Sequence, residues 1–404
     1  MFDIIFTLDY EIHGSGEGSP CDLMVEPTRR LMRRMERHGA KLTIMADVAE
    51  IARFKQYAAT HGDDRFHAEM IEDQLREAVG RAHDVQLHIH PAYYGARWQD
   101  ERWILNWADY DLTRLGYERL AAMIGDGKTY LESLLRPVAP GYECMAFRAA
   151  NWSMQPSGDI VRALRDRGIR IDTSVFKYGS RSGLVRFDYS NAFSNLVPWL
   201  VGPADICLPD PEGVLWEVPI YCEDRWLWEF LSVSRIRRIW QAMAHPMPDS
   251  HNSEGDDHRG VGWMPTQRGD GLLRGAVKKL ELLVRRHALK MDFNQCSGRQ
   301  LIGTLRRVEA KHGECPYPLP LVLIGHSKLF TTYNERDFTV FLEYVADHAG
   351  RYRFATFREL DLDVMRKAFG HERADGTIQR DQKGIQPGKT QLDQAVPTEA
   401  QEQA

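Results

Sequence analysis

The feature that most constrains this chain is the regular alternation of strand-like and helix-like segments over its first 180 residues. Short apolar runs, such as residues 4–8, are typical of buried parallel strands. Between them lie segments with helical periodicity, such as residues 27–38, which begin with Pro27 and end before Gly39. Strands and helices that alternate in this way form βαβ units and a parallel sheet. The predicted strands are 4–8, 41–46, 85–89, a short strand at Phe147 and 170–175, and the predicted helices are 27–38, 69–79, 113–135 and 159–167.

The second half of the chain continues the pattern less regularly. Strands are predicted at residues 215–220 and 320–325, and a helix at 337–346. Residues 232–244 and 271–311 are predicted to be mainly helical. Residues 245–262 are rich in Pro, Asp, Ser, His and Gly, which favours a flexible loop. Residues 371–404 lack aromatic residues and are predicted to be a disordered tail.

Composition excludes several classes of function. The net charge of the 404 residues is -5, and no long basic stripe is present, so nucleic acid is not expected as a partner. No run of 18 apolar residues occurs, so no membrane span is predicted. We expect a cytoplasmic protein, because no secretory signal precedes the first strand and six scattered cysteines suit reduced thiols. The sequence does not indicate an oligomeric state.

Polar side chains follow the predicted strands at their C-terminal ends, where parallel β/α folds carry their active sites. Asp9 and Glu11 end the first strand and point the same way, because side chains alternate along a strand. Two such carboxylates can supply a metal ligand and a general base. The alternative is a pair of acids at the entry to a loop.

His88 and His90 end the third predicted strand and share one face by the same alternation. A His-x-His pair on one face is a common arrangement for holding zinc or a similar ion. Two packed or hydrogen-bonded histidines are the alternative.

Three more strand ends carry candidate functional residues. Arg148 could orient a carboxylate through a bidentate contact, or be an ordinary surface arginine. Asp172 could be its partner, or could simply begin a turn. His326 follows a strongly apolar strand and is a candidate general acid, with a structural histidine as the alternative.

Aromatic residues follow the His-x-His pair and also the Arg148 strand. Rings of this kind suit the faces of sugars, so they are candidates for a substrate wall, and a packing cluster is the alternative. The candidates for substrate binding are Tyr93, Tyr94, Trp98 and Trp152, with Trp103 and Trp107 close by in sequence.

Taken in order, these clusters resemble the motifs of the polysaccharide deacetylase family, which is carbohydrate esterase family 4 and its relatives. The matching segments are residues 7–11 (TLDYE), His88 with His90, Arg148, residues 172–174 (DTS) and residues 323–326 (LIGH). The resemblance covers roughly residues 1–365, apart from unfamiliar stretches at 179–215 and 231–290. It is closest to an intracellular branch tied to surface-polysaccharide biosynthesis.

The resemblance implies an α/β fold, a distorted parallel (β/α) barrel of seven strands in one domain over residues 1–368, with insertions near 179–215 and 231–290. It also implies a metal-dependent hydrolase that removes an N-acetyl group from a sugar or saccharide precursor. Glu11, His88 and His90 would hold a divalent metal, and this ligand set suits zinc, with cobalt or nickel as alternatives.

The same resemblance assigns the remaining roles. Asp9 would be the base that takes a proton from water, and His326 the acid that protonates the leaving amine. Arg148 would orient Asp9, and Asp172 would tune His326.

Two positions depart from the family's pattern. Tyr10 stands where the family has a second aspartate, and the histidines are two residues apart where the family has four. Asp9 is therefore an alternative to Glu11 as the metal ligand. Two other functions are consistent with the sequence: a non-catalytic sugar-binding protein of the same fold, and a glycosidase that uses Asp9 or Glu11 with another carboxylate.

Overall fold

A computed structural model describes residues 1–12, 16–230, 236 and 286–370. The predicted loop at 245–262, the predicted helix at 232–244 and the predicted tail at 371–404 lie outside these residues, except for position 236.

Fifteen strands are present in the described part of the chain. They are β1 (Phe2–Tyr10), β2 (Leu42–Asp47), β3 (Asp84–Ile89), β4 (Arg97–Gln99), β5 (Arg102–Ile104), β6 (Ala146–Ala149), β7 (Ile171–Asp172), β8 (Ser180–Arg181), β9 (Phe187–Asp188), β10 (Trp199–Val201), β11 (Leu215–Glu217), β12 (Cys222–Trp226), β13 (Arg286–Lys290), β14 (Leu319–His326) and β15 (Tyr352–Phe354).

The α-helices of the same residues are α1 (Glu26–Glu36), α2 (Val48–His61), α3 (Ala68–Gly80), α4 (Tyr117–Leu135), α5 (Gly158–Asp166), α6 (Gly298–His312), α7 (Thr332–Ala346) and α8 (Leu362–Phe369). A five-residue π-helix, Cys21–Val25, leads into α1.

The central sheet is parallel and curled. Its strand order is β10-β11-β7-β6-β3-β2-β1-β14, and β15 pairs with the start of β1. Every pair is parallel except β10 with β11. Two isolated parallel bridges bring the chain that follows β11 and β13 against β14: Ile220 pairs with Val322, and Asp292 pairs with Ile324. The predicted α/β fold with a distorted parallel barrel is confirmed: seven consecutive strands are parallel, and β10 and β15 extend the sheet to nine.

Burial explains why the strands read as continuous apolar runs. Every residue of β1, β2, β3 and β14 is buried, because helices cover one face of the sheet and the curled interior covers the other. Helix α1 adds Leu31, Met32 and Met35 to this core, on the one face that their spacing predicted. Burying a side chain of that size stabilises the fold by about 1.5–3 kcal/mol.

The structure differs from the sequence-based elements at several places. Helix α2 had no predicted counterpart; the Asp47 side chain caps it by accepting from the backbone N–H groups of Ala49 and Glu50. The helical prediction over 271–311 is wrong at Arg286–Lys290, which forms β13, because antiparallel pairing with β12 decides its conformation. Residues 271–285 of that prediction lie outside the described residues, and within the described ones α6 begins at Gly298. Helix α7 begins at Thr332, five residues before its predicted start.

No helix among the described residues is both long and apolar enough to cross a membrane.

Candidate metal centre

Strand register brings the predicted polar residues into one row at the carboxyl edge of the sheet. Asp9 of β1 lies opposite His326 of β14. His88 of β3 lies opposite Asp47 of β2 on one side and Arg148 of β6 on the other. The strand ends that carry Asp9 with Glu11, His88 with His90, Arg148, and His326 therefore meet in one candidate site.

The predicted metal ligands converge. Glu11, His88 and His90 are buried, and each offers a ligand atom within 4.8 Å of the other two. Glu11 Oε2 is 2.8 Å from His90 Nε2 and 3.2 Å from His88 Nε2. Asp9, the alternative ligand, is directed instead towards Arg148. The geometry therefore favours Glu11 over Asp9 as the third ligand.

The hydrogen bonding of His88 fits this set to a cation. His88 Nδ1 is 2.8 Å from the carbonyl oxygen of Arg148, which can only accept, so Nδ1 carries the proton. In the neutral ring, Nε2 then presents a lone pair to the Glu11 carboxylate. His88 Nε2 and Glu11 Oε2 are then two lone-pair donors that face each other, and a metal ion between them would accept a lone pair from each. Two imidazoles and one carboxylate suit a divalent transition metal with an open coordination position.

The departure at Tyr10 does not place a phenol in the site. Tyr10 points to the opposite face of β1 from Asp9, and its hydroxyl donates to Gln74 Oε1 of α3 at 2.7 Å. Likewise Ile89, between the two histidines, is buried in the core. Strand alternation therefore lets a two-residue spacing direct both imidazoles at one point.

Lys328 is a charged neighbour that the sequence analysis missed. Its Nζ lies 2.9 Å from Glu11 Oε1 and 2.9 Å from the carbonyl oxygen of Ile12, with the side chain 2% exposed. Burial tends to raise the pKa of Glu11, but Lys328 and His90 outweigh it and hold that pKa well below its usual range. Burial tends to lower the pKa of His90, yet Glu11 raises it to about 10. Glu11 therefore stays ionised, and its negative charge stabilises the positive charges of Lys328 and His90.

A second group of charges lies beside the ligands. Arg148, with none of its side chain exposed, donates from Nη1 to Asp9 Oδ1 at 2.7 Å. His326 Nε2 lies 3.5 Å from Asp9 Oδ2. Burial works against ionisation of Asp9, but Arg148, followed by His326 and His88, lowers its pKa. Burial lowers the pKa of His326 despite the opposing charge of Asp9. Asp9 is therefore ionised and His326 neutral near neutral pH.

His326 is held from behind by a residue outside the predicted site. Its backbone N–H donates to Asn294 Oδ1 at 2.6 Å. The preceding residue, Gly325, permits this approach, because a Cβ there would come within 2.2 Å of the Phe293 ring.

Asp172 is buried at the end of β7, but its contacts differ from the predicted ones. Its hydrogen-bond partners are Ser174, whose hydroxyl donates to it at 2.8 Å, and Glu217. Burial and the neighbouring Asp172 raise the pKa of Glu217 well above its usual range, so the two carboxyl groups share a proton. Asp172 thus makes its hydrogen bonds to Ser174 and Glu217, and these contacts do not support the predicted role of Asp172 in tuning His326.

Three of the four predicted substrate-binding aromatics pack into the protein. Tyr93 is buried and hydrogen bonds with Glu50. The Tyr94 hydroxyl donates to the carbonyl of Met123 at 3.1 Å. Trp98 packs on other rings, with the Phe66 centroid 4.9 Å away. These contacts favour the packing cluster that the sequence left as the alternative.

Trp152 lies at the site. Its ring is perpendicular to that of His326, with centroids 6.3 Å apart. Trp152 and Asn151 both have a φ of +55°, a left-handed conformation that is strained for non-glycine residues and concentrates at functional sites.

Two buried acids beside the ligands were also missed. Asp47 Oδ1 accepts from the backbone N–H of His90 at 3.2 Å, and Glu50 accepts from that of Ile12 at 3.2 Å. Burial and the charges of Asp47 and Glu11 raise the pKa of Glu50 well above its usual range. Asp47 ends β2, so the strand-end rule that found the other clusters could have found it.

The chain matches no family model, and no curated protein matches its sequence. Solved structures that resemble it include a Mycobacterium smegmatis protein assigned to the polysaccharide deacetylases, at 13% identity and a TM-score of 0.44, over 94% of each chain. A 4-alpha-glucanotransferase of Thermococcus litoralis is similar at 12% sequence identity and a TM-score of 0.47, over 89% of this chain and 40% of that chain. The allantoinase Puue is similar at 12% sequence identity and a TM-score of 0.41, over 90% of this chain and 89% of that chain.

Proposed function

We propose that this protein is a metal-dependent hydrolase that removes an N-acetyl or similar acyl group from a sugar or saccharide precursor. The observation that carries the proposal is the buried convergence of Glu11, His88 and His90 next to the Asp9–His326 pair. The first three residues would hold a divalent metal, most suitably zinc. The other two provide proton transfer on the same edge of the sheet.

A metal held there would supply Lewis acidity for the acyl carbonyl when bound. Asp9 is kept ionised by Arg148 and would accept a proton from the attacking water. The proton that Asp9 takes from water would pass to the neutral His326, whose Nε2 lies 3.5 Å from Asp9 Oδ2, and His326 would deliver it to the leaving nitrogen. Amide and water would thus become amine and carboxylic acid. Arg148 would fix the carboxylate of Asp9 through Oδ1, leaving Oδ2 on the side of His326.

Trp152 supports a saccharide as the substrate, since its ring forms the wall next to His326. The family resemblance of the motifs extends this to a precursor of polysaccharide biosynthesis in the cytoplasm. We would assay acetate release from free N-acetylated sugars, sugar nucleotides, lipid-linked sugars and polymer. Release from exported polymer alone would contradict the precursor proposal.

The first experiment is metal content by mass spectrometry for the wild type and a His88→Ala/His90→Ala variant. We expect about one transition-metal ion per chain in the wild type, as a site of this ligand set holds one ion, and none in the variant. A His38→Ala/His61→Ala variant, with both changes outside the site, is the matched control and should keep its metal. Asp9→Asn should keep metal and lose turnover. Metal retained without both site histidines would refute the ligand assignment.

One observation favours a second candidate, a sugar-binding protein without catalysis. The Lys328 ammonium neutralises the Glu11 carboxylate at 2.9 Å, which weakens the attraction of that carboxylate for a cation. A wild type that stays metal-free after reconstitution, yet binds saccharides, would support this alternative.

A further inference from the structure

The two-stranded ribbon formed by β12 and β13 carries aromatic and charged side chains that the proposed chemistry does not use. Paired residues of an antiparallel ribbon share a face, so Trp226 with Arg286, Asp224 with Ala288 and Cys222 with Lys290 lie on one side. We call this side the ribbon face. It is half-exposed over most of its length.

The inner end of the ribbon face lies against the candidate active site. Lys290 Nζ is 3.4 Å from the centroid of the Trp152 ring and 4.5 Å from that of Phe176. Trp152 in turn contacts His326. The face is therefore continuous with the wall of the site rather than a separate patch.

The outer end of the ribbon face presents an aromatic platform. Trp228, in the short 3-10 turn Leu227–Phe230, stacks on Trp226 with the ring planes 6° apart and the centroids 5.2 Å apart. Arg286 lies over the Trp226 ring at 5.7 Å. Trp228 is 57% exposed, the most exposed large apolar side chain among the described residues. Large exposed aromatic surface of this kind marks binding sites.

Polar contacts on the opposite side of the ribbon hold this platform in place. Arg307 of α6 contacts Glu223 at 2.6 Å, and Arg225 bridges Glu223 and Glu229 at 2.9 and 3.2 Å. Gln300 donates to the carbonyl of Glu229 at 2.9 Å. The turn is thus anchored to α6, and the Trp228 ring is left accessible to a ligand.

We propose that the ribbon face is a saccharide subsite that binds further sugar rings of an oligosaccharide whose reacting unit lies at the metal centre. The rings would stack on Trp228, and Arg286 and Asp224 would meet their hydroxyl groups. Lys290 and Arg286 are four residues apart, or about 14 Å at roughly 3.4 Å per residue, which is longer than one sugar ring. This inference rests on the proposed function for its reacting end, and it specifies a substrate of several linked sugars.

The test measures binding of N-acetylglucosamine and of its linear hexamer by calorimetry, using the full chain. The readout is the ratio of the two affinities. We expect the wild type to favour the hexamer, and Trp228→Ala to reduce the ratio by roughly tenfold, the loss of one stacking contact. Trp228→Phe keeps a ring and should keep most of the ratio. Leu208→Ala, an exposed apolar side chain elsewhere, is the matched control.

An unchanged ratio in Trp228→Ala would overturn the inference, as would a wild type without preference for the hexamer. A change in oligomeric state, with hexamer binding intact, would identify the platform as a protein contact and also overturn it. Repeating the titration in His88→Ala/His90→Ala separates the two proposals. A ratio that still depends on Trp228 there supports the subsite even if hydrolysis is not the function.

Discussion

Replacing Arg148 by Met should destabilise the protein strongly, because it leaves the Asp9 carboxylate buried without its main partner. The guanidinium donates to Asp9 at 2.7 Å, and neither side chain is more than 4% exposed. Charges about 4 Å apart at an effective dielectric constant near 20 attract by about 4 kcal/mol. Breaking one side of a buried pair costs about 3–5 kcal/mol, and we expect a loss of that size in the free energy of unfolding.

The assay is equilibrium unfolding in urea, applied to a double-mutant cycle. In Asp9→Asn/Arg148→Met both charges are gone, so we expect the double variant to be at least about 2 kcal/mol more stable than the sum of the single losses predicts. Arg170→Met removes an exposed partner of Glu143 and should cost less than about 1 kcal/mol. A coupling energy below about 0.5 kcal/mol would refute the assignment of Arg148 as the partner of Asp9.

The pH dependence gives an independent check of the same pair. The folded pKa of Asp9 lies below its usual 3.8, so its contribution to stability is present above that pH and is lost as the pH falls through the lowered value. Without Arg148, burial raises the pKa of Asp9 instead. The stability gap between wild type and Arg148→Met should therefore widen from pH 4 to pH 7, and a constant gap would contradict this account.

Three further changes test other parts of the structure. Lys328→Gln removes the ammonium group that pairs with Glu11, so the metal-free protein should lose about 3 kcal/mol of stability. Added zinc should then raise the melting temperature of the variant more than that of the wild type, and equal shifts would contradict this. Burial raises the pKa of Asp84 to about 7, so the contribution of this residue to stability is lost as the pH rises from 3.8 through 7. Asp84→Asn should therefore be more stable than the wild type at pH 8, by at most about 4 kcal/mol, and this advantage should shrink towards pH 5. Gly325→Ala should cost at least about 1–3 kcal/mol in urea unfolding through overpacking against a phenyl ring, whereas Gly303→Ala in α6 should be neutral or stabilising, and similar effects at both positions would refute the close approach at Gly325.

Local sequence was sufficient where a single chemical rule decides the outcome. Buried parallel strands appear as apolar runs, so β1, β2, β3 and β14 were predictable to within a few residues. Strand alternation predicted that Asp9 and Glu11, and His88 and His90, would share faces. Gly168 ends α5 with a φ of +71°, a conformation that favours glycine.

Long-range pairing decided what local sequence left open. The segment Arg286–Lys290 has no strand signal of its own and becomes β13 only by pairing with β12. Cys222 and Lys290 are paired 68 positions apart, and Trp226 and Arg286 are paired 60 positions apart. The choice of Glu11 over Asp9 as the ligand depended on where Arg148 points. The contact of Lys328 with Glu11 joins residues 317 positions apart.

The sequence by itself therefore determined the parallel α/β architecture and the edge of the sheet where the candidate site lies, because apolar runs and two-residue alternation are properties of neighbouring residues. Only the tertiary structure decided which polar groups meet there, which aromatic rings pack inside and which remain at the surface. Those outcomes depend on the register between distant strands and on the charges it brings together, and such contacts leave no mark on the local pattern.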